Sequence, residues 1–176
     1  MKKSPPVVLN AWVPKTGQTQ KYATGDDGDL EKGVAWPTPR FTDNNNGTVT
    51  DNLTGLIWMK NANYFGACDW GGQALIRANS LCSGTADLTD GSKAGDWRLP
   101  NIKELESLID YSKYHPPLPA GHPFWGISPG YSEFWSSTTD LRQSNGIWIA
   151  FFDANGQTSS VPKESTLNVW CVRGGP

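Results

Sequence analysis

The 176-residue chain carries two histidines and three cysteines among the groups able to act as base, nucleophile or metal ligand. A hydroxyl or thiol nucleophile needs an imidazole base and an orienting carboxylate. His115 and His122 both fall in one proline-rich stretch. Ser136 and Ser137 follow Trp135 on an expected strand, where their hydroxyls are expected to bond backbone. Paired carboxylates for glycoside cleavage form only in space, and nothing in the spacing favours them. A glycine loop with lysine for phosphate and a dinucleotide fingerprint are both missing. The expectation is a chain that is not an enzyme and uses no cofactor.

Cys68, Cys82 and Cys171 fit no zinc spacing. Cys68 and Cys82 flank a candidate helix, so one disulfide plus a buried thiol and three buried thiols stay open as alternatives. Asp43, Asn45 and Asp51 could be read as calcium ligands, but the glycine falls one residue early for the helix–loop–helix pattern and no Glu closes the loop. No metal is expected, with a structural calcium left open.

Nine Trp, five Tyr and six Phe offset a hydrophobic share of only 37%, because each ring buries a large area. Trp58, Trp70, Trp97, Trp135 and Trp170 lie in element-forming segments and are expected in the core. Trp148 stands beside loops rich in Ser, Asn, Gln and Thr, the composition of a binding surface and equally of an ordinary solvent-facing hairpin; Trp125 is likewise not assigned to the core.

These side chains need elements to position them. Residues 1–29 read as an extended lead-in punctuated by prolines, with Thr24–Asp29 a loop and Trp12 among the groups able to dock on a core; one domain is expected over 30–176. Asn46-Gly47 between Phe41–Asp43 and Thr48–Thr50 signals a tight hairpin with positive φ at both central residues. Leu56–Met59 is a third short strand. Asp69 caps a helix over Trp70–Leu81, with Ala74, Leu75, Ala78 and Leu81 on one face. Asn101 and Glu104 form a capping box for a second helix with Leu105, Leu108 and Ile109 on its apolar stripe and Lys103, Glu104 and Glu106 facing water. Residues 111–133 read as a long loop held down by its own rings. Phe134–Thr138 and Gly146–Phe152 are strands, Asp153-Ala154-Asn155-Gly156 is a hairpin turn, and Asn168–Arg173 is the last strand.

Taken in order, Asn46-Gly47-Thr48-Val49-Thr50-Asp51-Asn52-Leu53-Thr54-Gly55-Leu56-Ile57-Trp58, Gly95-Asp96-Trp97-Arg98-Leu99-Pro100-Asn101, Phe134-Trp135-Ser136-Ser137-Thr138 and Val172-Arg173-Gly174-Gly175 resemble the bacterial family typified by the C-terminal domain of the collagen-like adhesin Lcl. The resemblance runs over about residues 20–176. It implies an α+β, C-type-lectin-like fold, two helices flanking a small twisted antiparallel core with extensive loops. It also implies that Asp96, Trp97 and Arg98 lock the entry to the second helix and that Arg173 pairs with a core carboxylate. The calcium–sugar signatures of animal C-type lectins and the copper-binding cysteine pair of formylglycine-generating enzymes have no counterpart.

Some proteins with this fold are variable targets of diversity-generating retroelements. By that resemblance, the ligand-binding candidates lie between Ser137 and Val169: Asp140, Arg142, Gln143, Asn145, Trp148, Gln157, Ser159, Lys163, Glu164 and Asn168. The expected function is recognition of a protein or glycan through the C-terminal loops and strands. Alternatives are a sulfated-glycan adhesin, which needs Lys113, Arg142 and Lys163 to cluster, a formylglycine-generating-type enzyme, or an assembly domain forming a homo-oligomer.

Charge and composition set the remaining bounds. Fifteen basic against seventeen acidic residues give a net charge of −2, with no basic block for nucleic acid. No apolar run is long enough to cross a membrane. Met1-Lys2-Lys3 is followed by Pro5 and Pro6 and only a brief apolar stretch, so no signal peptide is read. The expected location is the cell surface, the exterior or a phage particle.

Overall fold

The computed structural model describes residues 13–128, 130, 132–153 and 155–174. Trp12 and the first prolines, Ala154 of the expected turn and Gly175 lie outside the described residues. The architecture is α+β. A four-stranded sheet has the order β1 (Phe41–Asp43), β2 (Thr48–Asp51), β3 (Ile57–Met59), β9 (Val172–Arg173). A five-stranded sheet has the order β4 (Ala67–Cys68), β8 (Leu167–Asn168), β5 (Glu133–Asp140), β6 (Gly146–Phe151), β7 (Thr158–Pro162). Between these strands all pairings are antiparallel except β5 with β8, where Phe134 faces Asn168 in a parallel bridge. Among the described residues, three short α-helices complete the fold: α1 (Asp27–Leu30), α2 (Leu75–Ser80) and α3 (Ile102–Ser107).

Local sequence explains the helix starts. Asp69 accepts from the Gly72 amide, as expected of an N-cap, but the turn that follows, Trp70–Ala74, is a π-turn, with α2 beginning only at Leu75. Two successive glycines with weak helical preference precede it. At α3 the capping box forms in full: Asn101 accepts from the Glu104 amide and Glu104 accepts from the Asn101 amide. Leu105, Leu108 and Ile109 are buried as the stripe requires. Glu104 does not face water freely, because Arg98 grips both of its oxygens at 2.6 and 2.7 Å. Arg98 also exchanges backbone bonds with Val172, so the entry to α3 is tied to β9. Asp96 stays local and accepts from the Lys93 amide.

Several expectations change. Thr24–Asp29 is not wholly a loop, since Asp26 caps the single turn of α1. The β1–β2 connection is no two-residue turn: positive φ falls at Asn45 and Gly47, not Asn46. Asn46 bends in to accept from Thr48, and its carbonyl takes the Thr89 amide. Asn168–Arg173 is two strands in different sheets, β8 and β9. β7, which no apolar alternation marks, pairs with β6 from Gly146 to Ala150.

The core sits between the sheets. Trp170, on the crossover from β8 to β9, touches Trp58, Phe124, Phe134 and Phe152 with ring centroids 4.9–5.6 Å apart. Trp58, Trp97, Trp135 and Trp170 are fully buried, while Trp70 is half-buried. Four indole N–H groups find backbone or hydroxyl acceptors, Trp70 to the Ser136 carbonyl, Trp97 to Ser92, Trp135 to the Cys68 carbonyl and Trp170 to the Met59 carbonyl, whereas that of Trp58 is buried without one. Two ion pairs lock the sheet. Arg40 holds the fully buried Asp51 through two bonds of 2.9 Å and lies against the rings of Trp36 and Phe41. Arg173 meets Asp90 at 3.0 Å, the core carboxylate expected for it. In the 111–133 loop, Phe124 is buried against Phe41 and Trp170.

Candidate functional site

The β5–β6 loop owes its shape to one glycine. A Cβ on Gly146 would stand 2.7 Å from the Ser160 hydroxyl and 3.2 Å from the Cβ atoms of Asp140 and Gln143. Without that atom the three converge. The loop closes through Gln143 N to Asp140 O and Gly146 N to Gln143 O, and it thrusts Leu141 into solvent with 97% of its surface exposed.

Beneath the tip, Asp140 is buried and Arg142 folds back onto it. The guanidinium donates from Nε and Nη2 to the two carboxylate oxygens at 3.0 and 2.8 Å, and the Arg142 amide adds a third bond. Its carbon lies 5.1 Å from the Trp148 ring centroid. These bonds hold the Asp140 carboxyl well below the usual carboxylate range and raise Arg142 in turn. Although paired, the Arg142 side chain is 70% exposed. A planar cation fixed by a fork and a ring loses little freedom when it meets a partner.

The neighbouring loop is zipped to this one. Asn145 donates to Glu164 at 2.7 Å, its carbonyl accepts the Lys163 amide, and Lys163 Nζ reaches the Ser144 carbonyl. Lys163 Nζ also lies 5.8 Å from the Trp70 ring centroid, while the Trp70 amide bonds the Lys163 carbonyl. Two cations, Arg142 and Lys163, thus balance two carboxylates, Asp140 and Glu164. The face is amphipathic, polar and neutral in sum.

The structure therefore brings together Asp140, Arg142, Gln143, Asn145, Trp148, Lys163 and Glu164. Gln157 lies at the opposite end of the β6–β7 hairpin, where its carbonyl accepts the Phe151 amide. Ser159 pairs with Ile149, on the sheet face opposite Trp148 and Ser160. Asn168 is buried in β8 between β4 and β5. Lys113 does not join Arg142 and Lys163: it lines a cleft of about 430 Å³ with residues 155–158, at the far end of the same hairpin. Sequence reasoning missed Leu141 and placed Trp70 wholly in the core. The available signal for Leu141 was a lone aliphatic residue in an otherwise polar run, Thr138 to Asn145.

Several groups capable of chemistry are engaged in the framework. Ser136 donates to the Trp148 carbonyl at 2.6 Å and accepts the Thr138 amide, as expected of a backbone-bonding hydroxyl. Burial pushes the thiols of Cys68 and Cys171 up, away from the reactive thiolate. All three cysteines are free, with Cys68 and Cys171 buried and Cys82 only half-buried, so the structure carries neither a Cys68–Cys82 bridge nor a third buried thiol. Burial pushes the half-buried His122 down. The calcium reading of the β1–β2 loop fails because Asp51 is committed to Arg40, Thr54 and Leu53, and Asp43 to Lys60 at 2.6 Å. Among the described residues, no three His, Cys, Asp or Glu side chains stand together where a metal could be held. No helix among them is long and apolar enough to cross a membrane.

The family model described as the Lcl C-terminal domain matches residues 47–173. The chain belongs to the Lcl C-terminal domain family. The matched span begins at Gly47 in the β1–β2 loop and ends at Arg173 in β9, so it takes in both sheets apart from β1 and includes the whole hairpin tip. A search of curated proteins finds no match.

Proposed function

We propose that this Lcl C-terminal-type domain is a non-enzymatic recognition module that binds a protein or glycan with the tip of its β5–β6–β7 hairpins. The observation that carries the reading is the Arg142 fork: an exposed guanidinium pinned by a buried carboxylate and a tryptophan, beside a fully exposed leucine. Rigid aromatic and Arg anchors amid small hydrogen-bonding side chains are what binding hot spots are made of. The scaffold is read as C-type-lectin-like, displayed at a bacterial surface, secreted or carried on a phage. Its tip is read as a segment open to diversification by a retroelement, because the framework strands stand outside it. A template repeat with adenine-specific mismatches beside the gene tests the last point, and its absence counts against diversification.

The balanced charge of the tip and the separation of Lys113 weigh against a sulfated-glycan ligand. Heparin titrated at low and high salt is expected to bind weakly at most; tight, salt-sensitive binding lost in an Arg142→Ala variant would reverse that choice. A formylglycine-generating mechanism is disfavoured by the sealed Cys171 thiol. The direct experiment is a glycan and protein array probed with the intact chain and with Trp148→Ala. Loss of the bound partner in the variant is expected; retention would move the site elsewhere.

A further inference from the structure

A second concave site lies away from the hairpin tip, between the β1–β2 loop, the 84–91 loop and Trp125. It is a cleft of about 310 Å³ lined by Asn45, Gly47, Lys60, Asn61, Asp87 and Trp125, with Ala86 at its wall. Trp125 is 52% exposed although its backbone is firmly held. Its amide donates to the Lys60 carbonyl at 3.1 Å and its carbonyl accepts the Ala62 amide at 2.9 Å. A large ring left half in solvent on a fixed backbone forgoes much of its burial energy, yet is already positioned for a ligand.

The walls are built under strain. Asn45, Ala86 and Asp87 all adopt left-handed φ of 54–59°, and only two other non-glycine residues among those described do so. A Cβ on Gly47 would stand 2.6 Å from the Asp87 carbonyl, so the two loops meet as closely as backbones can. Such conformations persist where surrounding structure over-determines them, often at ligand sites.

Chemistry narrows the occupant. The lining holds no His or Cys, hence no ordinary base or thiol nucleophile. Lys60 is neutralised by Asp43 at 2.6 Å, which leaves Asp87 as the lining's uncompensated charge. A sulfate, phosphate or carboxylate would be repelled. A flat indole face suits the C–H face of a sugar ring, while side-chain amides and a carboxylate suit hydroxyl groups. We infer that this cleft binds a neutral pyranose unit, stacked on Trp125 and hydrogen-bonded by Asn45, Asn61 and Asp87. This goes beyond the hairpin-tip reading and stands whether or not that tip binds its own partner.

The test uses the full chain and saturation-transfer NMR with the methyl glycosides of glucose, galactose, mannose and N-acetylglucosamine, and galactose 6-sulfate as the charged comparator. At least one neutral glycoside is expected to bind and to shift the Trp125 indole N–H resonance. Trp125→Ala is expected to weaken it by about tenfold or more with an unchanged thermal midpoint, since the two backbone bonds remain. Trp148→Ala leaves sugar binding intact. Asp87→Asn keeps a residue type tolerant of left-handed φ and is expected to reduce the discrimination against galactose 6-sulfate. The inference is overturned if no neutral glycoside binds, if Trp125→Ala binds as the parent does, if the sulfated sugar binds more tightly than its neutral relative, or if Trp148→Ala removes the signal.

Discussion

Trp97 and Trp148 place the same side chain in two energetic settings. Trp97 has no exposed surface, donates to Ser92 and lies under the Arg173 guanidinium at 5.4 Å. Trp97→Ala is expected to cost about 3–5 kcal/mol, read as a large drop in thermal midpoint by circular dichroism. Trp148 is half-buried and carries Arg142 on its ring, so Trp148→Ala should lower the midpoint less while weakening ligand binding. Equal losses in the two variants would make Trp148 a core residue. Arg40→Met leaves the buried Asp51 without its cation and should cost about 3–5 kcal/mol, visible in urea midpoints. Cys82, the one cysteine that is not fully enclosed, should react first with a thiol reagent in the native protein; resistance of all three would argue for a bridge. Ser136 was legible in the sequence because a hydroxyl after a strand tryptophan has few other uses, whereas the pairing of Arg173 came from the family resemblance. Leu141 was not, since an aliphatic residue is expected inward until the loop that expels it is known.

At the scale of elements, local chemistry was the part that could be read ahead. Asn101 and Glu104 act on each other's backbone three residues apart, so their box needs no tertiary information. Asn101→Ala is expected to cost about 1 kcal/mol. Burial alone would raise the Glu104 carboxyl, but Arg98 and the Asn101 amide together hold it below its ordinary value. The sign follows: a carboxyl depressed on folding contributes stability above its unfolded pKa of about 4.3. That contribution fades as pH falls through the lower, folded value. Urea midpoints measured from neutral to acid pH should show this decline shallower in Glu104→Gln. β7 escaped notice for the opposite reason. Thr158-Ser159-Ser160-Val161-Pro162 is a polar edge strand, recognisable only through its partner β6. The same ignorance of partners hid the split of the last strand, because periodicity does not record a change of sheet.

Across the whole molecule, the strand order joins residues distant in the chain: β3 pairs with β9, and β5 with β8. The two candidate sites occupy different parts of this frame, the hairpin tip beyond Asp140 and the cleft at Trp125, so substitutions at one are expected to add independently to those at the other. A Trp125→Ala, Trp148→Ala double variant should show a thermal midpoint change close to the sum of the singles. The strand assignments on either side of the tip were accessible from composition; which sheet each joined was not, because register and crossover emerge only when Trp170 is seen packed between both.

The path of residues 167–173 through both sheets has a bearing on synthesis. Until those residues leave the ribosome, β3 and β5 each lack a neighbour, and the socket for Trp170 stays open. The nascent polypeptide must therefore wait, with two raw strand edges displayed, for this clasp to arrive.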